Sequence, residues 1–406
     1  MRIAIVGSGS AGATAAQFAK KMNRNAEIFL FDREGMGLYS RCALPYVISG
    51  MEWEKIVEMR PDDFERIGIS YRKEEVKKID IDAGIIEGER EEEFDRLIIA
   101  SGSVPYCPFK AEDAYFLRNL KDAIEIRKKA LNSRNAIVIG AGLIGIEIAE
   151  ALKKIGVDVK LLEYMPNILP NMLDKDVADY LMRKIGLDIV LNYKAEEVHG
   201  GEVFGNENYR GDFTVIATGN KPNGIIKDII EVDEKCMFKE GIYAAGDCTK
   251  VKDFFGRFSN VGLGSIAVRQ GMIAGENAAG GDEKMLPPLF AKTTKIFGIE
   301  IASVGIMGSD GISAKYIGKD LPNYMKGEEI LVKLIAKDGK IAGAQAIGRG
   351  AAKIVDKVAV AIYAKMGVKD FAKIENAYAP SVAPVFDCLA MASNILWRKV
   401  EDEGDI

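Results

Sequence analysis

At 406 residues, 48% hydrophobic and 28% charged, the chain is long enough for two or three domains with substantial cores. Its formal net charge of −5 argues against a nucleic-acid partner, and no apolar run reaches the length of a membrane span. Five cysteines (Cys42, Cys107, Cys236, Cys248, Cys388) stand far apart with no CxxC pair, which points to a reducing cytoplasm rather than a disulfide framework or zinc site; no metal is expected.

The chain opens on a strand, Ile3-Ala4-Ile5-Val6. With Arg2 inside it, the N-terminus does not read as a signal peptide. The strand enters Gly7-Ser8-Gly9-Ser10-Ala11-Gly12 and a helix, and the next strand ends on Asp32. This layout holds a dinucleotide: glycines allow a tight turn and close backbone approach, the helix N-terminus faces a pyrophosphate, and the acid takes ribose hydroxyls. A loop and short helix with Cys42 and Pro45 follow. Residues 74–96 predict a polar hairpin layer, and Leu97-Ile98-Ile99-Ala100-Ser101-Gly102 a buried strand ending in a small-residue turn. Pro105 and Pro108 mark a boundary.

From Asn135 the pattern returns. Ala136-Ile137-Val138-Ile139 enters Gly140-Ala141-Gly142-Leu143-Ile144-Gly145, a helix is expected over 144–155, and the strand over 157–163 ends on Glu163. Two fingerprints imply two dinucleotides, and the economical pair is FAD with NAD(H). Glu163 favours NADH over NADPH, because a carboxylate accepts ribose hydroxyls and repels a 2′-phosphate; Tyr164 and Met165 offer no arginine to offset it. A helix over 175–185 and strands up to Ala217-Thr218-Gly219 complete this unit. Residues 241–280 return to helix-forming sequence, and Pro287-Pro288 marks a second boundary. Alternation over 329–335 and 340–347 suggests a meander, with a helix over 353–366. The fold class is α/β: two Rossmann-like dinucleotide-binding domains (1–108 with 241–288 for FAD, 109–240 for NAD) and a C-terminal α+β domain over 289–406.

Cys42 is the pivotal side chain, in Tyr39-Ser40-Arg41-Cys42-Ala43-Leu44-Pro45-Tyr46. A cysteine at the start of a short helix gains from its partial positive end, and a neighbouring Arg41 favours the thiolate further. The bland alternative is a small buried residue. The other four cysteines read as structural.

With both fingerprints and this order of parts, the chain resembles the flavin-dependent pyridine nucleotide–disulfide oxidoreductases, of the glutathione-reductase type. Cys42-Ala43-Leu44-Pro45-Tyr46 resembles the single-cysteine branch: coenzyme A-disulfide reductases, NAD(P)H persulfide or polysulfide reductases, and NADH oxidases and peroxidases. Val47 stands where the glutathione-reductase branch has its second cysteine. The resemblance implies a lone sulfur beside the flavin, cycling between thiolate and a mixed disulfide, persulfide or sulfenic acid. It further implies that Gly241-Ile242-Tyr243-Ala244-Ala245-Gly246-Asp247 is the second flavin motif, with Asp247 on the ribityl chain. Gly262, Leu263 and Gly264 would open a helix aimed at the flavin. Arg33, Arg41, Val76, Ala100, Ser101 and Gly102 join the FAD set, and Gly219 joins Gly140, Gly142, Leu143, Ile144 and Gly145 in the NAD set.

The resemblance also bears on the acceptor. Ser10 stands where oxidase and peroxidase relatives place a histidine, and Val268 replaces the arginine that pairs with it. The single histidine, His199, lies in a Gly-rich turn, His199-Gly200-Gly201, and reads as a surface residue. A sulfenate peroxidase cycle therefore lacks its usual proton handler. Tyr324 and Tyr378 align with tyrosines that disulfide-reductase relatives supply from the partner subunit of a homodimer. Thr14 and Lys21 fall near coenzyme A contacts. Expected, then, is a cytoplasmic homodimer that uses NADH to reduce a small disulfide, persulfide or polysulfide, coenzyme A-type thiols included, through Cys42, Tyr378 and Tyr324. The alternatives are an NADH oxidase, a reductase for a protein carrier, and a non-catalytic flavoprotein.

Overall fold

The computed structural model describes residues 1–404. The chain folds as two compact units. One joins Met1–Pro108, Tyr115–Asn132 and Gly219–Pro288; the other joins Phe109–Ala114, Ser133–Thr218 and the segment from Leu289 onward.

In the first unit a six-stranded sheet runs Met237–Lys239, Ile242–Ala244, Arg96–Ile99, Arg2–Val6, Glu27–Phe31, Ser70–Arg72. Its pairings are parallel except at the Met237–Lys239 edge. Parallel strands covered on both faces need continuous apolar sequence, which is why Ile3–Val6 and Leu97–Ile99 carry no alternation. The helix Ser10–Met22 crosses the helix Gly264–Ala278 at very short range. A Cβ at Gly271 would lie 2.4 Å from the Ala11 carbonyl oxygen, and one at Gly275 would lie 2.3 Å from that of Ala15. Only glycine allows that approach. The polar layer expected over 74–96 is a three-stranded antiparallel sheet, Lys78–Asp80, Ile85–Glu87 and Glu91–Glu93. Pro105 does not simply end a domain: Ser103–Pro105 pairs antiparallel with Asn220–Pro222, with each proline at a ladder end where its missing N–H costs little.

In the second unit, Thr214–Ile216, Asn135–Ile139, Asp158–Leu162 and Asp188–Val190 lie side by side and parallel. The helix Leu143–Lys154 follows the second glycine turn. The C-terminal segment builds a five-stranded antiparallel sheet in the order Lys292–Ile296, Ile299–Gly305, Lys340–Ile347, Glu329–Lys337, Ile312–Lys319. The helices Ala351–Tyr363 and Cys388–Asp402 follow. The meander is thus longer than the alternation suggested, because Glu329–Lys337 is buried almost throughout and shows little polar-out pattern. Among the described residues no helix is long and apolar enough to cross a membrane.

Candidate active site

The two glycine turns repeat one geometry. Gly7 and Gly140 hold φ of +105° and +103°, a region that favours glycine. A Cβ at Gly7 would lie 2.3 Å from the Ala100 oxygen, and one at Gly140 would lie 2.5 Å from that of Ala217. The third glycines touch the first: a Cβ at Gly12 would meet the Gly7 oxygen at 1.7 Å, and one at Gly145 the Gly140 oxygen at 1.8 Å. The middle glycines differ from both. Gly9 and Gly142 cap their helices in ordinary extended conformation, and a Cβ there meets only the Arg41 Nε, at 4.0 Å, or nothing at all. Two glycines in each turn satisfy the protein, and the third keeps space open over a helix N-terminus, where an anion is favoured.

The residues read as the FAD set converge in the first unit. Asp32 is 5% exposed; its Oδ1 accepts from Glu34 N at 3.0 Å, and its Oδ2 from Met36 N at 3.0 Å and Gly37 N at 3.1 Å. The Tyr71 hydroxyl also donates to Oδ2, and burial together with that bond pushes the Tyr71 phenol above its ordinary range. Asp32 therefore orders its own loop and keeps capacity for a ribose hydroxyl mainly at Oδ1. Ser8 Oγ donates to the Gly37 carbonyl at 3.2 Å, and Ser101 Oγ to that of Asn223 at 2.8 Å. Gly246, at φ +83°, packs on Ala11 and donates to Gln270 Oε1 at 2.8 Å. Asp247 Oδ2 accepts from Ser103 Oγ at 2.8 Å and Arg118 Nη2 at 3.2 Å, leaving Oδ1 for a ligand hydroxyl. A Cβ at Gly262 would meet nothing within 4 Å. Arg33 is ion-paired with Glu75 at 3.1 Å, and Val76 is buried.

Cys42 is exposed, in the 3-10 turn Arg41–Ala43 that leads directly into the helix Leu44–Ile48. Its Sγ lies 4.0 Å from where a Cβ on Gly264 would stand, at the first residue of the 15-residue helix Gly264–Ala278. The thiol thus faces a second, longer helix start, whose positive end favours the thiolate. Arg41 has partners of its own in the protein. Its guanidinium donates to Glu34 Oε1 at 2.6 Å and to the Arg118 carbonyl at 2.9 Å, and lies over the Tyr39 ring at 5.0 Å. Its charge is shared with Glu34. Burial, with the Glu34 bond, also pushes the Tyr39 phenol up.

In the second unit Glu163, 6% exposed, accepts from Ala141 N inside the glycine turn and from Met165 N at 2.7 Å. It braces the turn and remains an acceptor; Tyr164 and Met165 beside it are exposed. Ile144, at the start of the helix, is partly exposed; Gly219, read with the same set, opens a segment of the first unit instead, at φ +112° with nothing within 4 Å of an added Cβ. Tyr324 and Tyr378, far apart in sequence, come together, and the Tyr378 hydroxyl raises the Tyr324 phenol. Thr14 is half-buried against Gly271, and Lys21 lies 5.3 Å above the Phe18 ring. His199 ends a strand rather than sitting in the turn, 3.0 Å from Glu197 and 3.3 Å from Glu112, because parallel pairing sets Glu112 beside it. Burial pushes the thiols of Cys236 and Cys248 upward and that of Cys388 to about 11, which suits inert packing. Glu34, Tyr71, Ser103, Arg118 and Gln270 were not foreseen; only the Asn119–Asp122 capping box beside Arg118 leaves a local trace in sequence.

The donor sets and open glycines fit FAD in the first unit and a nicotinamide nucleotide in the second. Residues 1–271 match the family model described as pyridine nucleotide-disulphide oxidoreductase, and residues 291–389 match the dimerisation domain of the same family. The chain belongs to the pyridine nucleotide-disulphide oxidoreductases. It is an oxidoreductase that uses FAD and a nicotinamide nucleotide, with the α/β architecture expected. An NADH oxidase of Methanocaldococcus jannaschii is 33% identical over 99% of this chain and 100% of its own. A coenzyme A-dependent NAD(P)H sulfur oxidoreductase of Pyrococcus abyssi is 28% identical over 97% and 98%. Among solved structures, an NAD-dependent persulfide reductase from A. fulgidus superposes with a TM-score of 0.94 at 27% identity, covering 100% of this chain and 84% of that one.

Proposed function

We propose that this oxidoreductase uses NADH to reduce a disulfide, persulfide or polysulfide, coenzyme A-type thiols included, through Cys42 as its one redox-active sulfur. The observation that carries this reading is the exposed Cys42 thiol at the start of the Gly264 helix. When bound, FAD supplies a two-electron relay between a nicotinamide and a sulfur centre. Gly7–Gly12, Asp32, Ser101, Gly246 and Asp247 would hold it within residues 1–108 and 241–288. Gly140–Gly145 and Glu163 would hold NADH within 109–240. The Cys42 thiolate attacks a sulfur–sulfur bond, one thiol leaves with a proton, and a mixed disulfide or persulfide remains on Cys42. Two electrons from NADH then cleave that S–S bond, returning Cys42 to thiolate while the second sulfur takes a proton and leaves as a thiol or as hydrogen sulfide. Tyr378, with Tyr324 beside it, hydrogen-bonds or protonates the departing sulfur across a homodimer built by residues 289–406. Exposed Tyr324, Tyr378, Val382 and Phe386 supply an apolar face suited to such assembly. Thr14 and Lys21 are the candidate contacts for the thiol substrate. Five cysteines far apart in the sequence, with no CxxC pair, suit a cytoplasmic enzyme.

Oxygen is the second acceptor considered, because the M. jannaschii relative carries the name NADH oxidase. Anaerobic NADH titration, followed by turnover of persulfides, disulfides and polysulfide against oxygen uptake, separates the two readings. Faster steady-state oxygen consumption than turnover of any sulfur compound would reject the sulfur reading.

Two substitutions test the assigned roles. Tyr378→Phe is expected to lower kcat for the sulfur substrate by about tenfold or more, with KM little changed, as for loss of a proton donor; an unchanged kcat removes that role. Glu163→Gln is expected to cut the NADH-over-NADPH preference in kcat/KM by about tenfold, the worth of one charge-assisted hydrogen bond. An unaltered ratio would assign specificity elsewhere.

A further inference from the structure

Arg118 has no place in either glycine fingerprint, yet it lies at the centre of the first unit's polar interior. It precedes the helix Leu120–Ala130, and its own N–H donates to the capping acid Asp122 at 2.8 Å. That bond joins the reciprocal Asn119–Asp122 cap, so the backbone of Arg118 is held before its side chain does anything. The guanidinium then reaches two sites. Nε donates to the Ser103 carbonyl at 2.8 Å and Nη2 to Asp247 Oδ2 at 3.2 Å, while Ser103 Oγ donates to the same oxygen. In the other direction, the Arg118 carbonyl accepts from Arg41, the residue before Cys42. Each arginine has its own acid along the path, Arg41 with Glu34 and Arg118 with Asp247, and the Arg118 carbonyl joins the two pairs.

Both side chains of the Arg118–Asp247 pair are only about a quarter exposed, at 22% and 23%. Burial lowers the Arg118 pKa, the Asp247 charge opposes that shift, and the neighbouring Arg41 adds to it. An arginine in that setting needs its carboxylate, and the carboxylate is aimed by a fork whose two N–H groups point in fixed directions. Lysine carries one point charge and cannot reproduce both bonds.

We propose that Arg118 is a positioning residue for the flavin site, one that turns Asp247 so that Oδ1 faces the cofactor and anchors the Arg41–Cys42 turn to the same frame. This rests on the reading of Asp247 as a flavin-binding acceptor. Arg118 acts through Asp247 and is not assigned any contact with substrate.

The test is FAD titration of the apoprotein, followed by flavin fluorescence, for Arg118→Leu, Asp247→Asn and the double variant, with the apoprotein thermal midpoint measured alongside. Each single change is expected to raise the Kd of FAD about 10- to 100-fold, and the double change to add less than about threefold to the weaker single, since coupled neighbours are not additive. Arg118→Lys is expected to recover part of the affinity; it also serves as the test variant if Arg118→Leu does not fold. Additive effects in the double variant, or full affinity in Arg118→Leu, would overturn the role of Arg118 alone. Unchanged FAD affinity in Asp247→Asn would overturn the Asp247 reading and this proposal with it.

Discussion

Cys42→Ser is expected to lower turnover of a persulfide or disulfide substrate by at least about 10³-fold, the scale on which losing a covalent nucleophile acts. FAD content, thermal midpoint and the anaerobic reduction of the bound flavin by NADH should stay near those of the unsubstituted protein. Oxygen keeps this spectrum of effects informative: an oxidase route that needs no sulfur would leave NADH-dependent oxygen uptake in place. The expectation follows from where the thiol lies. The turn Arg41–Ala43 presents it at the surface, and the first residue of the Gly264 helix stands beside it. Serine is nearly isosteric, but its hydroxyl stays protonated at neutral pH and does not attack a sulfur–sulfur bond, even at a helix N-terminus. Unchanged sulfur turnover would eliminate Cys42 from the chemistry, leaving a two-nucleotide flavoprotein whose acceptor takes electrons elsewhere. The three buried cysteines are poor substitutes, because burial raises each of their thiols.

What could be read from sequence divides along a physical line. Gly7, Gly12, Gly140 and Gly145 were legible because their requirement is local: a positive φ, or a carbonyl one turn away, excludes any Cβ. Cys42 was legible for a similar reason, since Pro45 and the apolar residues after it announce a short helix. The second helix start beside Cys42 was not, because Gly264 reaches it only through the crossing of two helices with small residues at the contact. The partner of Arg41 was not legible, because one charge among many shows no partner in sequence; Glu34 is nearby in the chain but meets it only after the Asp32 loop folds back. Tyr71 and Arg118 are harder still. Each acts on a fingerprint or motif acid from another part of the chain, and no periodicity encodes that pairing. His199 was placed in the wrong element because its glutamate neighbour comes from the parallel strand Lys110–Glu112, whose short polar sequence does not advertise a strand.

The middle glycine of the second fingerprint allows binding to be separated from folding. At Gly142 the backbone is extended, at φ −73° and ψ −176°, which any residue adopts, and an added Cβ meets no protein atom within 4 Å. Gly142→Val should therefore cost within about 1 kcal/mol of stability, chiefly from a poorer helix cap. The methyls would fill the space over the helix N-terminus that a pyrophosphate requires, so the Kd for NADH should rise about 10- to 100-fold, the equivalent of 1–3 kcal/mol of steric conflict. FAD content should not change, since the first turn is untouched. Gly145→Ala makes the contrast. Its Cβ falls 1.8 Å from the Gly140 oxygen, so the turn itself must move and stability should drop by about 1–3 kcal/mol. Thermal melts and NADH fluorescence titrations on the two variants distinguish these costs. If Gly142→Val bound NADH as tightly as the unsubstituted protein, the open space before that glycine would not be where the nucleotide lies.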